Sequence, residues 1–277
     1  MLQETKQLCD LYGIKPARSK GQNFLITNSI YDKVVAAANL HKDDIVLEVG
    51  PGLGFLTKKL AKYVKQVLAV ELDFKLAEAL QARLDLDNIK NVEVINQDIL
   101  QYQVNNQIKK YKIVANLPYN ITSFFLRTFL EADNKPELMV LLLQKEVVKR
   151  ILAKPGDMSL LALSVQFYSN PQLIDYVAAS NFWPKPEIDS AIIKIDLLKS
   201  NRGLTQAQLK KFWQIARIGF SSKRKMLKNN LAGGFKIEPN LIENKLIKIN
   251  LNPKVRAEDL AVEDWLKLFA ELAGDVV

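Results

Sequence analysis

The sequence predicts an α/β fold: a mostly parallel, doubly wound sheet with an antiparallel hairpin at its edge, followed by a small all-α region. Three observations predict it. Apolar runs of strand length alternate with stretches of helical periodicity through the first half, two strand-like runs then follow one another, and from about Ser200 the pattern is helical throughout. Strand runs separated by helical crossovers imply parallel strands covered on both faces. In such sheets ligands bind beyond the carboxyl ends of the strands.

The strand runs are IVLEV (45–49), QVLAVE (66–71), VEVIN (92–96), KIVAN (112–116) and LMVLLLQ (138–144). Between them FLTKKLAKYV, FKLAEALQARL and SFFLRTFLEA repeat apolar residues at helical spacing. Gln172 to Val177 and Asp189 to Leu197, joined by the proline-bearing NFWPKPEID, read as the edge hairpin. Asn201-Arg202-Gly203 reads as a linker, and LTQAQLKKFWQIARIGF, KRKMLKNNL, IEPNLIENKLIKI and RAEDLAVEDWLKLFAEL as helices. A boundary is expected between residues 1–198 and 199–277.

Among the 277 residues, 48% hydrophobic and 25% charged side chains are ordinary globular composition and exclude a largely disordered chain. One cysteine, Cys9, and one histidine exclude a disulfide framework and a Cys/His zinc cluster. No apolar run has the length of a signal peptide core or a membrane span, so a soluble cytoplasmic protein is expected. The net charge of +9 is uneven, with 14 basic residues against Glu238 and Glu243 alone between Lys199 and Arg256. Such a cluster suits a polyanion, or else is a solvated lysine-rich helix surface.

The first strand ends in EVGPGLGFLT, with Gly50, Gly52 and Gly54 as GxGxG before a helix. Glycines let the backbone turn sharply and approach a ligand, and a helix N-terminus offers unpaired N–H groups. The spacing departs from the GxGxxG that faces a pyrophosphate in nicotinamide-binding folds. Glu71 closes the second strand, where a carboxylate can accept both hydroxyls of a ribose, and Asp98 follows the third, placed for the amine of an adenine. Taken singly, either acid reads as a surface carboxylate. Together they suggest an adenosine ligand without pyrophosphate, a description that S-adenosylmethionine satisfies.

SKGQNFL, VLEVGPGLGFLT, the Glu71 strand, QDIL, NLPYN and FWPKPEIDSA occur in this order and spacing in the ribosomal RNA adenine N6-dimethyltransferases. The sequence resembles the branch acting on 16S ribosomal RNA, from about Ser19 to the helical tail. The resemblance implies a Rossmann-like S-adenosylmethionine-dependent methyltransferase domain, followed by a basic RNA-binding domain. It implies that Asn23 and Leu25 line the methionine end of the cofactor, with Gly50 and Gly52 in the glycine loop. Glu71 then holds the ribose, Asp98 the adenine, and Asn116 faces the reacting centre. Otherwise GQNFL reads as a polar helix-entry segment. The implied partner is 16S rRNA within the small subunit, two adjacent adenosines of its 3′-terminal hairpin loop being dimethylated by a monomeric enzyme without metal or membrane. Glu187 departs from the family pattern, which has a basic residue there.

Adenine N6 is a poor nucleophile because its lone pair is delocalised. Two acceptors aimed at its hydrogens, the Asn116 side-chain oxygen and the Leu117 carbonyl, would turn that lone pair toward an activated methyl group. Pro118 would fix the turn presenting the carbonyl. Tyr119 would stack on the extruded base, and Phe182, by resemblance, would cover its other face, unless Phe182 or Trp183 anchors the hairpin to the core. The plainer reading of NLPY is a strand-to-helix turn with Asn120 or Thr122 as cap. Lys223, Arg224, Lys225 and Lys228 are the candidate phosphate contacts. Rival readings are a large-subunit (23S) rRNA methylase of the antibiotic-resistance type, a non-catalytic ribosome assembly factor, a nicotinamide oxidoreductase and a DNA adenine methylase.

If the ring face of Tyr119 matters, Tyr119→Ala lowers methyl transfer by about 5- to 150-fold, the equivalent of about 1–3 kcal/mol of stacking, while Tyr119→Phe stays near wild type. Equal losses in the two variants, measured with labelled methyl groups, would refute stacking.

Overall fold

The computed structural model describes residues 1–16, 21–118, 121–272 and 274. Its strands are β1 (Phe24–Leu25), β2 (Ile45–Val49), β3 (Gln66–Glu71), β4 (Val92–Asn96), β5 (Lys112–Asn116), β6 (Leu138–Gln144), β7 (Ser169–Val177), β8 (Phe182–Trp183) and β9 (Ser190–Leu197). Its helices are α1 (Leu2–Leu11), α2 (Asn28–Ala37), α3 (Phe55–Leu60), α4 (Phe74–Leu86), α5 (Thr122–Glu131), α6 (Lys145–Ile151), α7 (Leu160–Tyr168), α8 (Gln206–Gly219), α9 (Leu227–Phe235), α10 (Pro239–Lys248) and α11 (Val262–Leu272). Tyr119 and Asn120 lie outside the described residues.

Seven strands form one sheet in the order β4-β3-β2-β5-β6-β9-β7. The pairs β2–β3, β3–β4, β2–β5 and β5–β6 are parallel, and β9 runs antiparallel to β6. Chain order therefore reverses at β2, with β3 on one side and β5 on the other. This is the switch point at which an open α/β sheet leaves a crevice. The apolar runs of β2, β3, β5 and β6 are buried on both faces, as expected of parallel strands between helical layers. On one face Val46, Val67, Ala69, Val114, Val140 and Leu142 pack with Ile30 and Val34 of α2 and Leu56 and Leu60 of α3.

The expected strands and hairpin region are found, with β7 outside β9. Between them Phe182 and Trp183 leave the large sheet and pair with Leu25 and Phe24 as β8 on β1. GQNFL is therefore extended rather than a helix entry, and α2 starts only at Asn28.

The chain divides into two compact units: Met1–Val148 with Asn170–Leu197, and Lys149–Ser169 with Leu198–Val277. The expected cut at 198/199 lies beside the second crossing, but residues 149–169 group with the tail. The reason is aromatic packing. Phe167 and Tyr168 of α7 lie 4.8–5.7 Å from the rings of Phe212 and Trp213 of α8, and the Trp213 indole N–H donates to the Tyr168 hydroxyl at 2.9 Å. The Arg202 guanidinium donates to the carbonyls of Gln166 and Phe167, so the expected linker is a tied turn. Helix α8 opens on a reciprocal capping box between Thr205 and Gln208.

Within the second unit Gly219 leaves room for one side chain. A Cβ there would meet Trp265 Cη2 at 2.5 Å and Leu227 Cδ1 at 2.9 Å. Trp265 is nearly inaccessible, and its ring stacks on Phe220. Gly219→Ala should therefore lower stability by about 1–3 kcal/mol through overpacking. Urea unfolding is the measurement, and an unchanged midpoint and slope would show that Trp265 moves aside without cost.

Candidate active site

A cavity of about 370 Å³ opens over the carboxyl ends of β2, β3 and β5. Asn23, Leu25, Gly50, Gly52, Glu71, Asp98, Asn116 and Pro118, all singled out in the sequence, line it. The switch point brings its halves together: a Cβ on Gly50 would lie 3.8 Å from the Asn116 carbonyl oxygen and 4.0 Å from Pro118 Cδ.

The glycine loop is packed as tightly as its composition suggests. Gly54 has φ +81°, and a Cβ there would be 2.3 Å from Leu80 Cδ1, so the loop can lie on α4 only with glycine at this position. The Arg83 guanidinium donates to the Leu53 carbonyl from α4, sits 4.8 Å from the Phe55 ring centroid and pairs with Glu4 at 3.6 Å. On the open side the loop is held by Glu71. One carboxylate oxygen accepts from the Gly52 N–H at 3.0 Å, the other from the Asp73 N–H at 2.9 Å. Burial raises the pKa of this carboxyl, and those two donors offset part of the rise. With the N–H groups of Gly52, Asp73 and Leu72 taking some of its roughly four acceptor sites, the carboxylate keeps capacity for a ligand hydroxyl.

Asn116 ends β5, and its amide nitrogen donates to the Asn23 carbonyl at 3.3 Å. A carbonyl can only accept, so this contact defines which end of the amide is the donor and leaves the oxygen as its acceptor end. Leu117 is buried, and its N–H donates to Leu142 at 3.3 Å, which pins the start of the turn to β6. Ile121, the N-cap of α5, makes no side-chain cap hydrogen bond, and the Thr122 hydroxyl donates back to the Pro118 carbonyl at 3.5 Å; Asn120, the other expected cap, lies outside the described residues. The expected role of Tyr119 falls outside the described residues.

Phe182 is a core residue. Its ring is 3% exposed and packs with Leu25, Ile30, Tyr31 and Val177 in the core, and it does not line the cavity. The backbone of Phe182 pairs with that of Leu25, and both side chains belong to one buried cluster. This position suits the anchoring of the hairpin to the core.

The basic segment also differs from its expected form. Lys223, Arg224 and Lys225 lie in the turn before α9, while Lys228 is in the helix. Lys228 is 18% exposed and pairs with Glu243, and Lys223 lies 3.5 Å from Glu258. Arg224 and Lys225 are exposed.

Sequence reasoning missed Glu48, Tyr31 and Arg83. Tyr31 lines the cavity and donates to the Leu25 carbonyl at 2.9 Å. The signal for Glu48 was present: it is the one charged residue in the apolar run IVLEV. Nothing in FKLAEALQARL marks Arg83 as buried, and only the fold reveals it.

Residues 14–274 match the family model described as ribosomal RNA adenine dimethylase. The chain is 45% identical over 280 residues, covering 99% of its own length and 94% of the relative's, to ribosomal RNA small subunit methyltransferase A of Dehalococcoides mccartyi strain CBDB1. Among solved structures it is similar to a dimethyladenosine transferase from Plasmodium falciparum, with TM-score 0.80, 26% identity and coverage of 90% of this chain and 97% of that one. It is also similar to the 23S rRNA methyltransferase ErmE, with TM-score 0.74, 27% identity and coverage of 91% and 100%. With a cavity that gathers the glycine loop, Glu71, Asp98 and Asn116, the chain belongs to the ribosomal RNA adenine dimethylase family.

Proposed function

We propose that this protein uses S-adenosylmethionine to dimethylate the N6 amines of two adjacent adenosines in the 3′-terminal hairpin loop of 16S rRNA, during assembly of the small ribosomal subunit. It acts as a cytoplasmic monomer. The observation that carries this reading is the convergence of Gly50, Glu71, Asp98 and Asn116 on one cavity at the switch point of the sheet. The small-subunit assignment is supported by the near full-length similarity to the Dehalococcoides mccartyi methyltransferase. A 23S target is the second reading, favoured by the likeness to ErmE. Labelled methyl transfer to isolated small and large subunits, with the modified bases mapped, decides between them.

In this reading the adenosine of the cofactor sits between Glu71, which accepts from the ribose hydroxyls, and Asp98, which accepts from the adenine amine. Asn23 and Leu25 bound the methionine end, and Gly50 and Gly52 let the backbone approach. The cofactor supplies an activated methyl group on a sulfonium, so the chain need not supply a strong acid or base. Asn116 and the Leu117 carbonyl orient the target amine, Pro118 holds the turn, and Tyr119 stacks on the base. Lys223, Arg224, Lys225 and Lys228 are proposed to contact RNA phosphates in the helical, basic C-terminal region, Arg224 and Lys225 foremost because the other two lie beside acidic partners.

Two measurements test the division of labour. Asn116→Ala should lower methyl transfer by at least about 100-fold while cofactor affinity, read by calorimetry, changes little. Near-normal turnover would remove Asn116 from the mechanism. Replacing Lys223, Arg224 and Lys225 by glutamine should raise the apparent KM for small subunits. It should also flatten the salt dependence, by about 0.7–0.9 in log–log slope for each phosphate no longer neutralised. An unchanged slope would move the RNA surface elsewhere.

A further inference from the structure

Helix α1 lies ahead of residue 14, where the match to the family model begins, so that match assigns it no role. No residue of α1 lines the cavity, yet the helix packs directly behind it. Cys9 is buried in a cluster with Ile14, Phe24, Leu53, Leu76 and Ala79, and Leu8 and Tyr12 pack against the same cluster. Phe24 and Leu53 of that cluster do line the cavity. The Phe24 ring also lies on the glycine loop, since a Cβ on Gly52 would meet its Cε1 at 3.2 Å. Helix α1 therefore backs both the loop and the short strand β1 beside it.

A polar contact reinforces this packing. Arg83 of α4 is 7% exposed, and its guanidinium meets neighbours from three other segments. Nη1 donates to the Leu53 carbonyl in the glycine loop, the group lies 4.8 Å from the centroid of the Phe55 ring at the start of α3, and Nη2 stands 3.6 Å from the Glu4 carboxylate of α1. Burial opposes the guanidinium charge, and Glu4 is the foremost of the charges that sustain it. An apolar side chain of similar length would fill the space on α4 but withdraw this donor from the Leu53 carbonyl. A planar fork suits the task, because one N–H holds the carbonyl while another faces the acid.

We propose that Arg83 and Glu4 are positioning residues of the cofactor site: Glu4 holds the guanidinium from α1, Arg83 holds the Leu53 carbonyl, and the glycine loop keeps the shape in which it receives S-adenosylmethionine. This rests on the cofactor assignment proposed above. Neither side chain lines the cavity, so their effect reaches the ligand only through the loop and the residues packed on it. Ribose, adenine and the amino-acid end are common to S-adenosylmethionine and to the S-adenosylhomocysteine left after transfer, so both forms feel the loop alike. The arrangement makes cofactor affinity depend on a helix that lies outside the residues matched by the family model.

The test is isothermal titration of the full chain with both compounds, for wild type, Arg83→Met, Glu4→Gln and the double variant, together with steady-state methyl transfer to small subunits. Arg83→Met should weaken both compounds on the order of tenfold, the loss of a charged hydrogen bond, and should raise the KM for S-adenosylmethionine rather than lower kcat. Glu4→Gln should weaken them by about two- to fivefold, the range of a partly exposed ion pair, and should add nothing in the Arg83→Met background. Unchanged affinity in folded Arg83→Met, or a thermal midpoint that falls while affinity holds, overturns the proposal and assigns Arg83 to the stability of the core. Equal effects of Glu4→Gln in the two backgrounds overturn the part given to α1. If Arg83→Met does not fold, Glu4→Gln decides alone, since Glu4 is half-exposed, and unchanged affinity there overturns the proposal as well. Failure of the wild type to bind either compound would instead refute the cofactor assignment itself.

Discussion

Parallel pairing of β2 with β3 on one side and β5 on the other is the constraint on which the site depends. The register places Val49 opposite Val70 and Ala115, so the three strands end together. The segment leaving each strand end then has no choice of neighbour. The glycine loop leaves β2, Glu71 closes β3, and Asn116 closes β5, all at one rim. A slip of one residue in either pairing would turn Glu48 and the apolar residues beside it to the opposite face and separate Gly50 from Asn116. The uninterrupted buried runs of β2, β5 and β6 guard against such a slip, because the core on each face accepts only one alternation.

The two ends of the site differ in how they are held. The side with the glycine loop is fixed by charge and by backbone donors. Arg83 ties Leu53 to α4, and Glu71 bridges the loop to the turn after β3. The side with Asn116 is fixed by a lighter contact, one side-chain amide on the Asn23 carbonyl and one backbone bond from Leu117 to β6. Asn23 therefore serves both halves, since it lines the cavity and receives the Asn116 amide.

The strands, the glycine loop and the three strand-end residues were legible in the sequence because each is a local pattern: an apolar run with a marked last residue. Features that depend on distant partners were not. Nothing near Phe182 says that it will pair with Leu25, some 157 residues away, and sink into the core. Nothing in SLLALSVQFYS says that Phe167 and Tyr168 will pack on α8 and carry their segment into the helical unit. The turn at Lys223–Lys225 was read as helix because KRKMLK consists of good helix formers, while α9 starts only at Leu227. Glu48 was visible as an anomaly in its strand, but only the fold shows that it is buried and lines the cavity.

The clamping of the glycine loop between Arg83 and Glu71 has a consequence for turnover. Those contacts are made within the protein, so the loop is already ordered before any ligand enters, and binding spends little conformational entropy on it. On the proposed reaction, two adenosines that each take two methyl groups consume four cofactor molecules for every small subunit modified. A loop that had to refold at each exchange would repeat its ordering cost every time. A rigid loop confines each exchange to the diffusion of a small molecule into and out of a standing cavity.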